Sequence, residues 1–187
     1  MRYPAEETAE KHRRLLNVAA AMFRERGIDA VSVSEVMKGA GMTHGAFYSH
    51  FASKEDLASA AIQEAIEQSN TTLDQALADP IAPKEAYLDA YLSPEHRDRA
   101  QEGCPLAALA IEIGRRKTDT PLLADHVKAL LRRVVAGFRW SVRGSERDQA
   151  ILMTSAMVGA IILSRAVGDP DLSDEILAAT RRQLAAR

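Results

Sequence analysis

SVSEVMKGAGMTHGAFYSHFASKED, residues 32–56, holds three helix starts, at Ser32, Thr43 and Ser53, spaced about eleven residues apart. Ser32 and Glu35 have the spacing of a capping box, in which each side chain satisfies the other's free backbone N–H. Gly39-Ala40-Gly41 closes this helix within about two turns, because glycine accepts the left-handed backbone that ends a helix. Thr43 is placed to cap a third helix reaching Phe51. Ser53 caps a fourth, with Glu55 and Asp56 in its electropositive first turn, and Asp79-Pro80 ends it after Ala78. Upstream, Leu15, Ala19, Met22 and Phe23 recur at the spacing of one helical face from near Glu6, and Gly27 stops that helix.

The remainder reads as helix too. Segments 83–93, 105–116, 120–143, 146–167 and 171–186 have Pro83, Pro105, Pro121 and Pro170 at or near their starts, where a missing N–H costs little. Residues 93–103 are the most polar stretch and read as a loop. No strand alternation is evident, so the fold class is all-α.

On the third helix, Phe47 and Phe51 lie one turn apart and define its inward side. Gly45, Ala46 and Ser49 then point outward, Tyr48 and His50 occupy the shoulders, and His44 sits in the first turn. Small residues at the outward centre let a backbone press close to a surface, while polar tips on both shoulders suit the walls of a major groove. A short helix, a glycine turn and this helix make a helix-turn-helix. The alternative, a plain αα-hairpin, leaves Tyr and His exposed beside Gly and Ala for no packing reason.

The run from Val31 to Leu57 closely resembles the N-terminal signature of the TetR/AcrR transcriptional regulators. Gly45, Tyr48, His50-Phe51 and Ser53-Lys54-Glu55 match it directly, and Met42-Thr43 stands where the pattern often has Val-Ser. The specific likeness covers about residues 10–57. It implies an N-terminal three-helix helix-turn-helix DNA-binding domain, residues 1–52. A connecting helix joins this to a C-terminal helical ligand-binding and dimerisation domain, residues 53–187. It also implies that Ser32, Thr43, Tyr48, His50 and Lys54 contact phosphates, whereas His44, Gly45 and Ala46 meet base edges. His44 stands where the family often has Lys or Arg. Arg2 and Lys11 are further candidates for backbone contact, weighed against ordinary solvated charges.

Composition agrees with that reading without requiring it. The formal net charge is −2 over 187 residues, which argues against a nucleic-acid-coating protein. The N-terminal 54 residues carry 8 Lys/Arg against 6 Asp/Glu, a slight local excess of positive charge. Residues 150–163 are the most apolar stretch, too short to span a bilayer comfortably and bracketed by charges. The charged N-terminus shows no secretory signal, and one cysteine fits a reducing, cytoplasmic setting, with no membrane partner expected. No P-loop, GxSxG or dinucleotide-binding glycine cluster is found, and His44 and His50 lack the i, i+4 spacing of a helical zinc pair. The chain is therefore expected to be no enzyme, with no catalytic residues, no metal site and no cofactor.

A single reading helix covers few base pairs, so a homodimer on a palindromic double-stranded operator is expected. Residues 146–186 are the candidate interface. Ser155/Gly159 and Ala156/Ala160 are small-residue pairs that permit close helix approach, joined by Ile176, Leu177 and Leu184. For a small-molecule effector, Phe138, Trp140, Met153 and Met157 offer an adaptable apolar lining, with Tyr87, Tyr91 and His126 as polar contacts. Each is weighed against plain core. Cys104 lies at the cap of a helix opening at Pro105, where the dipole favours a thiolate. It resembles the Gly-Cys-x-Leu helix start of a TetR subgroup that includes electrophile-responsive repressors, which implies redox sensing, with an inert core cysteine as the alternative. Glu112 reads as an ion-pair partner of Arg115 or Arg116 on its own helix. The whole reads as a ligand- or redox-responsive, sequence-specific transcriptional repressor. The alternatives are an activator of the same fold and a helical sensor without DNA binding.

Overall fold

The computed structural model describes residues 5–116, 119–141 and 144–186, and their regular structure is entirely helical. In order the α-helices are α1 (Ala5–Arg26), α2 (Val33–Gly39), α3 (Lys54–Leu77), α4 (Pro83–Tyr91) and α5 (Pro94–Asp98). They continue as α6 (Pro105–Arg116), α7 (Thr120–Gly137), α8 (Glu146–Ala166) and α9 (Pro170–Ala185). A 3-10 helix, His44–Ser49, lies between α2 and α3, and a short 3-10 turn, Ala100–Glu102, lies between α5 and α6.

The expected ends hold where side chains cap them. Ser32 and Glu35 form the reciprocal box at α2, and Ser53 accepts the Asp56 N–H at the start of α3. Three expectations change. The helix after Thr43 is a 3-10 helix that stops at Ser49, and Thr43 caps it through its backbone carbonyl, with no side-chain bond. Ser49 Oγ donates to the Ala46 carbonyl at 2.6 Å, a local bond that competes with helix continuation. The polar stretch 93–103 is not a plain loop, because Ser93 caps α5 and the 3-10 turn follows. Finally, α7 ends at Gly137, where Phe138 turns to an extended backbone; residues 142 and 143 lie outside the described residues.

The buried residues form two cores. The first gathers Leu15, Phe23, Val36, Met37, Phe47, Leu57 and Ile62, and it also takes Leu109 and Ile113 from α6. The second holds Leu73, Tyr87, Leu88, Val134, Met153, Met157, Ile161 and Leu177. Two helices give buried residues to both, and α7 joins them by packing Leu122 and Leu123 on the first and burying Leu130, Leu131 and Val134 in the second. Helix α3 gives residues 57–66 to the first core and Leu73 and Ala76 to the second, while α6 gives Leu106 to the second. A displacement of α6 therefore bears on both cores, since close-packed interiors transmit strain.

Candidate functional site

The 3-10 helix sits on the first core by one ring. Phe47 is 2% exposed, Ala46 is partly buried, and Phe51 is half-buried. Opposite them, Thr43, His44, Gly45, Tyr48 and Ser49 are exposed. Tyr48 is 70% exposed, an unusual position for so large a ring, and it meets His44 and Phe47 edge-on. The turn before this helix rests on Gly41, whose φ of +71° an L side chain adopts only with strain.

Three neighbouring candidates are already partnered. Ser32 Oγ donates to Glu35 Oε2 at 2.7 Å, and the Ser32 backbone N–H donates to the same oxygen at 2.8 Å. These bonds, together with Arg26 at 2.7 Å, hold the Glu35 carboxyl down at about 2. A phosphate reaching Ser32 thus meets a hydroxyl whose hydrogen points at a carboxylate. Lys54 Nζ donates to the Asp29 carbonyl at 3.4 Å, which anchors it across the turn after α1.

His50 Nδ1 lies 3.3 Å from His12 Nδ1, and the His12 ring stacks on both His50 and Phe51. Burial, followed by the neighbouring imidazole, lowers the His50 pKa, so the neutral ring is favoured. With Nδ1 engaged, Nε2 is the His50 nitrogen left to meet a phosphate. Lys11 pairs with Glu7 at 2.8 Å, whereas Arg2 lies outside the described residues.

Residues far along the chain lock the turn between α1 and α2. Glu112 on α6 accepts the Ile28 N–H at 2.9 Å and the Asp29 N–H at 2.7 Å. It is not the intrahelical ion-pair partner expected of it; Arg116 instead pairs with Asp29 at 3.1 Å. Gly27, at φ +86°, turns the chain toward this carboxylate, and a Cβ there would lie 3.1 Å from Glu112 Oε2. Buried Arg24 makes a second tie, donating to the Gly103 carbonyl at 3.4 Å and to Gln68 at 2.6 Å. The local sequence holds no sign of either contact, since each spans about 80 residues.

In the C-terminal part a cavity of about 540 Å³ opens among α3, α4, α5, α7 and the start of α6. Tyr87, Tyr91, His126 and Cys104 line it with Asn70, Leu73 and Leu130. The expected apolar set does not. Phe138, Met153 and Met157 are buried in the second core, and half-buried Trp140 donates its indole N–H to the Val135 carbonyl at 3.1 Å. Trp140 and Met153 border only a void of about 20 Å³ beside Lys84. These side chains fill the seam between the end of α7 and α8–α9, whereas the cavity lies at the other face of Tyr87.

Cys104 is buried at the start of α6, and its N–H donates to His96 Nε2 at 3.0 Å. His96 Nδ1 bonds the Tyr91 carbonyl at 2.6 Å, so the two contacts together select one neutral tautomer. Arg24 and Arg165 lie near enough for the cysteine to affect their pKa values, although burial dominates and lowers both. The local sequence shows none of these neighbours of Cys104.

The candidate interface residues divide. Ile151, Ser155, Gly159 and Leu163 form an i, i+4 ridge on α8 that faces outward, with Gly159 partly covered. Leu172 on α9 is exposed and Ile176 is half-buried. Ala156 packs against the second core; Ala160, Leu177 and Leu184 are buried within it, because α8 and α9 cross on that side. Helix α8 is long and apolar enough to cross a membrane by length and composition, but α6, α7 and α9 pack against it.

Comparison with known proteins agrees with this geometry. Residues 15–61 match the model of the bacterial regulatory proteins of the tetR family. The HTH-type transcriptional regulator Rv0196 of Mycobacterium tuberculosis is 29% identical over 171 residues, covering 81% of this chain and 82% of that protein. The HTH-type transcriptional repressor KstR2 of the same species is 54% identical over 43 residues, covering 23% of this chain and 22% of its own length. A TetR transcriptional regulator from Chloroflexus aurantiacus superimposes with a TM-score of 0.77 at 25% identity, over 97% of this chain and 95% of that one. Family match, helix-turn-helix and overall fold agree: the chain carries the N-terminal domain of the tetR family of bacterial regulatory proteins within a TetR-like fold.

Proposed function

We propose that this TetR-family transcriptional regulator is a homodimeric repressor that binds a palindromic operator and leaves it when an effector occupies the cavity. The exposed face of the 3-10 helix carries the reading. Tyr48 at 70% exposure, beside His44 and Gly45 over a buried Phe47, makes sense against a surface and not against a core. In this reading residues 1–52 bind DNA. Thr43, Tyr48, His50 and Lys54 meet phosphates, with Ser32 available only if Glu35 releases it. His44, Gly45 and Ala46 approach base edges. Residues 53–187 hold the effector and the dimer contact, and the protein works in the cytoplasm as a binding protein rather than a catalyst.

The ridge Ile151, Ser155, Gly159 and Leu163, with Leu172 and Ile176 on α9, supports pairing of α8 and α9 with their copies. Spacing by four is the ridge used in the commonest helix-packing class. Helix α6 supports the coupling. Its first turn borders the cavity at Cys104, and its last turns hold the α1–α2 turn through Glu112. An effector acts only by favouring the dimer arrangement whose reading helices no longer match the groove spacing.

A redox reading of Cys104 draws support from its place on the cavity wall near Arg24 and Arg165. Any reagent would approach the sulfur through the cavity, so this is a second way to occupy one site.

The test is titration of an operator, selected by the protein from random duplexes, at several salt concentrations. Phosphate-led binding gives a linear fall of log affinity with log salt, steeper than about −2 for the dimer, since each neutralised phosphate contributes about 0.9. A flat dependence overturns the DNA-binding reading.

A further inference from the structure

Two side chains in the cavity wall are left chemically unfinished by the fold. Tyr87 is 6% exposed and His126 is 7% exposed, yet neither the Tyr87 hydroxyl nor either His126 ring nitrogen has a hydrogen-bond partner among the described residues. Neither group is sealed away from solvent, in contrast to the Tyr91 hydroxyl, which is fully enclosed beside Cys104. Both residues line the 540 Å³ cavity, so that cavity is where a partner for them fits. Water can reach both groups in the open cavity, so a ligand that displaces it must supply acceptors in its place or leave them unmatched at a cost.

The surroundings say what kind of partner. Asn70, on the same wall, uses its side-chain oxygen to accept from Arg133 at 3.0 Å, which leaves its NH₂ as a donor. Arg133 itself is paired with Asp74 and does not line the cavity, although its charge is felt at His126. The charged lining residues are Asp89, Glu95, Arg99 and Glu102. All are exposed; Asp89 pairs with Arg181, and Arg99 is shared by the two glutamates at 3.2 Å each. Burial and Arg133 lower the His126 pKa, which keeps the imidazole neutral. The wall is therefore rich in neutral donors beneath a rim in which acids outnumber bases. An anion would be repelled at the rim and find no free cation inside. Tyr87, Leu73 and Leu130 supply the apolar contact.

We infer that the cavity takes an uncharged, ring-bearing compound whose carbonyl-type oxygen accepts hydrogen bonds from Tyr87 and His126. This rests on the proposal that the cavity is the effector site and specifies the chemistry it selects.

Three probes of one shape test it by calorimetry on the full chain. They are 2-acetylnaphthalene, its hydrocarbon isostere 2-isopropenylnaphthalene, and 2-naphthoate. The ketone is expected to bind about tenfold tighter than the hydrocarbon, as a net hydrogen-bond gain gives, and naphthoate weakest. Tyr87→Phe keeps the buried ring and is expected to cut the ketone preference several-fold while leaving hydrocarbon affinity within about twofold. His126→Phe provides the same comparison from α7. The carbonyl stretch of bound ketone should lie at lower frequency in the wild type than in Tyr87→Phe. Equal binding of ketone and hydrocarbon, tighter binding of naphthoate, or a preference unchanged in both variants overturns the inference and leaves the cavity reading standing. Failure of all three probes to bind or to raise Tm brings down the cavity as an effector site.

Discussion

The polar groups behind the 3-10 helix and those on the cavity wall are treated in different ways. Around the reading helix the backbone ends are tied. Ser32 and Glu35 close α2, Ser53 closes the start of α3, and Glu112 takes two N–H groups of the α1–α2 turn. On the cavity wall the Tyr87 hydroxyl and the His126 ring have no hydrogen-bond partner among the described residues. A site that must present a fixed shape to a groove is held from behind. On the proposed function, a site that responds to an effector is left incomplete. Helices α3 and α6 belong to both regions.

The largest break in this comparison should come from Phe47→Ala. Phe47 is the ring that seats the 3-10 helix on the first core, and such truncations cost about 3–5 kcal/mol. Thermal unfolding should fall steeply and operator binding vanish; a variant that keeps both would show that the helix is held by something else. A smaller effect is expected from Glu112→Gln. The amide offers one oxygen where two N–H groups have acceptors, a loss of about 1 kcal/mol because water can reach the exposed Asp29 N–H. Amide exchange at Ile28 and Asp29 should accelerate, whereas Arg115→Gln, which removes an exposed charge, should leave it unchanged. Unaltered exchange in Glu112→Gln would remove α6 as the tie between the regions.

How much of this was legible in the sequence follows the range of the interactions. The caps at Ser32 and Ser53, the glycine turn at Gly41 and the inward Phe47 are local, so spacing alone exposed them. The 3-10 character of the reading helix was not legible, because it depends on where a six-residue segment can close its bonds before Ser49 intervenes. The partners of Glu112 are backbone groups 83 and 84 positions away, beyond the reach of local spacing, which offers only the arginines of its own helix. The cavity was misplaced for a related reason. Phe138, Met153 and Met157 look like an adaptable lining in one dimension, but α8 and α9 close over them. Tyr87 and His126 are polar by sequence, but only in three dimensions do they lack hydrogen-bond partners among the described residues.

The smallest structural change carries the sharpest test. Tyr48→Phe removes one oxygen from an exposed ring and touches neither core, so Tm should stay within about a degree. If that hydroxyl donates to an operator phosphate, anisotropy titration of the selected operator should show about five- to tenfold weaker binding. Equal affinity in wild type and Tyr48→Phe would contradict the account of this face as the one that meets DNA.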